Sequence, residues 1–176
     1  GFDLCDATLE AVIGMCATHA QHGTTTIFPT LVSCNREMIR AVCDVFRKTK
    51  AQLPCHAVGL HLEGPFLSPA MCGAQRPDLI VPPTEEDAEL VEENRDVISR
   101  ITCAPEVQYV MPFAERLMSS GVSFSMGHTN ATYEQAEAAY EAGFSSITHL
   151  YSATSGFHKV DGRVHIGVTQ YAYAEK

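Results

Sequence analysis

Three short segments carry side chains that could share one metal ion: His61-Leu62-Glu63-Gly64-Pro65, Gly127-His128-Thr129-Asn130-Ala131 and Thr148-His149-Leu150-Tyr151. Each closes an apolar run, so each presents a carboxylate or an imidazole where a predicted strand gives way to a loop. A Glu at the last position of an apolar strand is costly to bury unless it is paired or metal-bound. Glu63, His128 and His149 together make a one-carboxylate, two-imidazole set, which leaves coordination positions open for water and substrate. A hydrophobic core has no use for this pattern; a metal-dependent hydrolase does. His61, two residues before Glu63, shares its strand face and by itself reads as a hydrogen-bonded core histidine.

Five strands are predicted to position these groups, over 24–29, 57–63, 98–104, 122–128 and 145–150. Helical patterns lie between them. Residues Thr8 to Gln21 keep Leu9, Val12, Ile13, Cys16 and Ala20 on one face, and Gly23 supplies the stop. Asn35 caps a helix to about Lys50, and Thr84 with Asp87 opens an acidic helix as a capping box. A further helix spans 107–120, and Thr132 caps one that runs to Ala142. This alternation requires parallel strands with right-handed helical crossovers. It fits a (β/α)8 barrel or an open doubly wound sheet, both of which gather function at the C-terminal strand ends. Three ligands on three strands converge around a barrel axis, and five strands are too few to close it. The expected fold class is α/β, a (β/α)8 TIM barrel present as a partial barrel of about five strands.

The 176 residues, 45% hydrophobic and 19% charged, suit one globular domain that buries about two-thirds of its unfolded surface. A net charge of −9 argues against nucleic acid or an anionic membrane as partner. Much of the acid lies in 84–96 and reads as a solvated helix face. No apolar run approaches the ~20 residues that cross a bilayer, and Gly1 to Asp6 shows no basic-then-apolar leader. Seven scattered cysteines with no Cys-x-x-Cys pair read as reduced thiols, so a cytoplasmic location is expected.

The strings His61-Leu62-Glu63-Gly64-Pro65-Phe66, Gly73-Ala74-Gln75, Ala104-Pro105-Glu106, Gly127-His128-Thr129-Asn130-Ala131-Thr132 and Thr148-His149-Leu150-Tyr151, with Asp6-Ala7-Thr8 and His22-Gly23-Thr24-Thr25 before them, occur in an order that resembles the N-acetylglucosamine-6-phosphate deacetylase family of the amidohydrolase superfamily. The resemblance covers nearly the whole chain. It implies a barrel of the metal-dependent amidohydrolase type that removes acetate from N-acetylglucosamine 6-phosphate. It also implies that Glu63, His128 and His149 bind a divalent metal, commonly zinc, and that metal-activated water attacks the amide. A neighbouring His then helps to stabilise the oxyanion, and an Asp carries the proton to the leaving amine.

By the same resemblance, Ala74, Gln75, Ser152 and Ala153 are candidates for substrate binding, with Arg163 first and Lys159 second for the phosphate. Ser152 and Thr154 depart from the family's Asn and Met, so a hydrogen-bonding amide has become a shorter hydroxyl. The family's His-x-His pair is expected before Gly1 and its acid/base Asp beyond Lys176, so no acid/base is assigned among these residues. Residues 1–176 are thus expected to form the central part of a single barrel domain, without the family's small β-sandwich domain. The expected partners are a small amino sugar phosphate and, at full length, further copies of the chain. Two alternatives stand: an acylated amino sugar such as N-acetylgalactosamine 6-phosphate as substrate, or an incomplete, inactive barrel fragment, with or without metal.

Overall fold

Polar side chains start the helices at the predicted positions. In the computed structural model, which describes residues 1–174, Thr8 Oγ1 accepts the Ala11 N–H at 3.1 Å and opens α1 (Leu9–Gln21). Of the strand predicted over 24–29 only two residues form one, and Pro29, which has no N–H for a sheet ladder, separates them from a second strand beyond the predicted range. Before it, β1 (Thr26–Ile27) stands apart from the main sheet; after it, β2 (Thr30–Val32) forms one edge of that sheet. Asn35 Oδ1 accepts the Met38 N–H at 2.9 Å and caps α2 (Arg36–Thr49).

The strand expected over 57–63 divides, into β3 (His56–Ala57), which pairs with β1, and β4 (Leu60–Glu63). Asp87 Oδ2 accepts the Thr84 N–H at 2.8 Å and closes the capping box of α3 (Glu85–Glu93). Next come β5 (Ile98–Cys103) and α4 (Val110–Met118). That helix starts later than expected, because Tyr109 takes a left-handed φ of 68°. β6 (Ser123–Met126) leads to α5 (Tyr133–Glu141), where Thr132 and Gln135 cap each other. β7 (Ser146–Ile147) is shorter than the expected 145–150. Beyond the last predicted strand come a hairpin, β8 (His158–Val160) with β9 (Arg163–His165), and α6 (Val168–Ala174), neither of them predicted.

Five parallel strands form one sheet in the order β2-β4-β5-β6-β7. The chain is therefore an α/β partial barrel. Register decides which face is apolar. Leu31, Leu62, Ile101 and Phe124 lie in line across four strands and are all buried with the inner faces of α2, α3 and α4. Phe66, Phe113, Phe124 and Phe144 extend this layer, with successive ring centroids 4.8, 6.0 and 5.5 Å apart. The next row, one residue on and so on the opposite face, is Glu63, Thr102, Ser125 and Ser146. The polar face carries the site.

Candidate metal centre

Glu63 is the last residue of β4, and His128 and His149 each stand two residues beyond the ends of β6 and β7. All three leave the sheet at its C-terminal edge. Gly127 lets the strand ends pack closely there: a Cβ on it would lie 2.7 Å from Thr102 Cγ2 and 2.9 Å from Thr148 Cβ. His128 and His149 take left-handed φ values of 46° and 35°, a region that costs a non-glycine residue about 1–3 kcal/mol. Neighbouring backbone holds the turns in place. Ser68 N–H donates to the His128 carbonyl at 2.9 Å, and Thr129 N–H donates to the Ala153 carbonyl at 3.0 Å.

Glu63 Oε1 lies 2.9 Å from His128 Nε2 and 2.8 Å from His149 Nε2, and the two Nε2 atoms are 3.2 Å apart. The other nitrogens fix the tautomers. His128 Nδ1 meets the Met71 carbonyl at 2.8 Å and His149 Nδ1 meets the Ser152 carbonyl at 2.9 Å. A carbonyl only accepts, so both Nδ1 atoms carry hydrogen, and the Nε2 atoms face Glu63 as lone pairs in the neutral rings or as donors to the carboxylate when a ring is protonated. Two imidazole nitrogens and a carboxylate oxygen converge on one point, where either a metal ion or a proton on an imidazole balances the charge. The three residues fit a metal, with backbone carbonyls orienting the imidazoles from behind. Hydrogen bonding from His128, against the effect of burial, holds the Glu63 carboxyl down to about 2, and the same bond raises His128.

A cleft of about 650 Å³ opens beside the triad. Ala74, Gln75, Ser152 and Ala153 border it, as do Glu63, His128 and His149. Gln75 Oε1 is engaged, accepting the Ser33 N–H at 2.9 Å. Arg163 and Lys159 are exposed on the β8–β9 hairpin and do not border the cleft. Arg76 does, and sequence reasoning passed over it; it is paired in the structure with Asp78.

Residues 7–167 match the model of the amidohydrolase family. The chain belongs to the amidohydrolase family. It is 35% identical over 151 residues to N-acetylglucosamine-6-phosphate deacetylase of Haemophilus influenzae, an alignment covering 84% of this chain and 39% of that protein. It is 37% identical over 149 residues to N-acetylgalactosamine-6-phosphate deacetylase of a Shewanella species, covering 84% and 37%. Among solved structures, N-acetylglucosamine-6-phosphate deacetylase of Pasteurella multocida superposes with a TM-score of 0.87 at 32% identity, over 97% of this chain and 44% of that one. A mutant deacetylase of Mycobacterium smegmatis in complex with N-acetyl-D-glucosamine-6-phosphate superposes at 0.85 and 31% identity, over 99% and 44%. The chain thus spans about two-fifths of the length of these curated relatives.

Family membership implies a divalent metal for this amidohydrolase, and Glu63, His128 and His149 are the His, Cys, Asp or Glu cluster that could hold one among the described residues, their ligand atoms all within 4.8 Å. His61 is not in that cluster. Its Nδ1 lies 3.0 Å from Thr30 Oγ1, whose hydroxyl donates to the Phe28 carbonyl, so Nδ1 is the donor there. His61 Nε2 then accepts from Thr102 Oγ1 at 2.6 Å, and Thr102 accepts in turn from Thr148, 2.7 Å away. Burial pushes His61 down to about 4, in keeping with this neutral tautomer. The core reading of His61 from sequence is met, with the addition that its bonds brace the strands beneath the Glu63, His128 and His149 cluster.

The turn between His128 and α5 holds the chain's own Glu106 carboxylate, through Thr129 Oγ1 and the Asn130 N–H. From sequence, Glu106 stands out only as part of Ala104-Pro105-Glu106. Its partners lie more than twenty residues away along the chain, and spacing gives no sign of them.

Proposed function

We propose that this chain is the central, metal-holding part of a barrel enzyme that hydrolyses N-acetylglucosamine 6-phosphate to glucosamine 6-phosphate and acetate. The observation that carries this reading is the convergence of Glu63, His128 and His149 beside a cleft in a chain similar to deacetylases along most of its length. Glu63, His128 and His149 would hold the metal, for which zinc suits the nitrogen-and-oxygen donor set. When bound, such a metal supplies Lewis acidity that activates water near neutral pH and polarises an amide carbonyl. Ala74, Gln75, Ser152 and Ala153 orient the sugar. Arg163 and Lys159, the phosphate candidates from sequence, sit away from the cleft, so Arg76 is the cation assigned to the phosphate end. Among the described residues Glu63 is the only carboxylate bordering the cleft, and it is committed to the two imidazoles. The proton transfer to the leaving amine therefore falls to a group outside these residues.

Similarity to a galactosamine-type deacetylase favours one second reading, N-acetylgalactosamine 6-phosphate as the substrate. Acetate release from both sugar phosphates by a complete barrel containing these residues separates the two readings. Preferred turnover of the glucosamine derivative supports the first, preferred turnover of the galactosamine derivative supports the second, and turnover of neither contradicts both. A cytoplasmic location and assembly with further copies of the chain belong to the same proposal.

A further inference from the structure

We propose that Glu106 is a positioning residue for the metal centre, one that fastens the turn presenting His128. The inference rests on the metal-centre reading of Glu63, His128 and His149. Glu106 lies three residues past the end of β5 and is not among the clustered ligands. Thr129 Oγ1 donates to its Oε2 at 2.6 Å, and Asn130 N–H donates to its Oε1 at 2.6 Å. The direction of the first bond is fixed, because Thr129 Oγ1 accepts the Ala131 N–H at 3.1 Å and turns its own hydrogen to the carboxylate. Both oxygens of Glu106 are thus spent on the two residues that follow His128.

Those two residues are the part of the turn that must be held. His128 takes a left-handed φ, and a strained conformation persists only where its surroundings over-determine it. Thr129 is fully buried. It also joins the second imidazole-bearing turn, donating its N–H to the Ala153 carbonyl and accepting the Ser155 N–H at 3.0 Å each. Residue 152 of that same turn supplies the carbonyl that orients His149. One carboxylate therefore ties the β5 loop to both turns carrying imidazoles.

The test is Zn2+ titration of the 176-residue chain in competition with a chromophoric chelator, with Co2+ absorption as the spectroscopic readout. Glu106→Ala is expected to weaken Zn2+ binding by about 10- to 100-fold, the range for losing a group that orients a ligand, and to shift the Co2+ bands. Glu106→Gln keeps an oxygen for the Asn130 N–H and is expected to recover part of the affinity. Thr129→Val is expected to weaken binding without adding fully to Glu106→Ala. The metal-free unfolding midpoint should account for none of this order. Should Glu106→Ala fail to fold, Glu106→Gln against the parent decides. Parent-like Zn2+ affinity in the variants, or losses that follow metal-free stability with Gln no better than Ala, would overturn the inference while leaving the metal centre intact. Absence of Zn2+ binding by the parent would remove both.

Discussion

His128 Nε2 and His149 Nε2 face each other at 3.2 Å while both Nδ1 atoms are bonded to backbone carbonyls. Two imidazole lone pairs so close repel unless a positive charge lies between them. Glu63 Oε1, within 2.9 Å of each, adds negative charge to the same point. Packing does not produce such an arrangement unaided: both histidines sit in left-handed turns, and the adjoining loops are spent on holding them there. The fold tolerates local strain to keep three potential ligands on one point, the kind of strain that gathers at functional sites.

Thr102 links the rows beneath this centre, bonding His61 Nε2 at 2.6 Å and Thr148 Oγ1 at 2.7 Å while fully buried. Thr102→Val keeps the shape and deletes the hydroxyl, leaving the buried His61 Nε2 without its donor and the half-buried Thr148 with one partner fewer. It is expected to cost about 1–3 kcal/mol in urea unfolding. A parent-like midpoint would show that the hydroxyl chain contributes no net stability.

Phe124 touches two rings of the aromatic series and has no exposed surface. Phe124→Ala is expected to destabilise the chain by about 3–5 kcal/mol, much of the stability of an ordinary domain. Loss of the cooperative unfolding transition is an equally consistent result. A loss below about 1 kcal/mol, the size of a surface change, would contradict this account of the core.

Asp87 gives a pH-dependent prediction. Burial alone would raise its carboxyl, but bonds from Arg36 and Thr84 outweigh that and hold it below its ordinary value. A depressed folded pKa contributes stability above the unfolded value of about 3.9 and loses it as pH falls through the folded value. Asp87→Asn is expected to cost about 1 kcal/mol at pH 7, with the gap to the parent closing below about pH 4. Urea midpoints at pH 7 and pH 3 check this. A gap of the same size at both would show that charge plays no part.

Arg76 is the one Lys or Arg bordering the cleft among the described residues. In a complete barrel, Arg76→Ala is expected to raise KM for the sugar phosphate about tenfold, or about 1.4 kcal/mol, and to leave kcat within twofold. Steady-state kinetics with N-acetylglucosamine as the unphosphorylated control provides the check. An equal effect on both substrates would remove Arg76 from the phosphate end.

Much of this arrangement was legible in the sequence for local reasons. Asn35, Thr84 and Thr132 cap helices with their own side chains, so the helix starts could be read from neighbours in the chain. Glu63, His128 and His149 stood out because each is a polar group at the close of an apolar run. What stayed hidden depends on contacts distant in sequence or on very short elements. The hairpin at 158–165 has three-residue strands with no alternation to detect. The edge strand β2 begins only after Pro29, where the run expected over 24–29 ends. Glu106 shows its role only when Thr129, 23 residues on, folds back against it. Lys159 and Arg163 were chosen for charge and loop position, and charge alone does not say which way a hairpin points.

Zn2+ titration of the 176-residue chain, with Glu63→Gln and His149→Ala beside it, bears on the metal centre itself. One equivalent per chain is expected in the parent, with affinity reduced at least a hundredfold in both variants and their far-UV circular dichroism unchanged. No binding by the parent, or parent-like binding by the folded variants, would contradict a metal centre built from Glu63, His128 and His149.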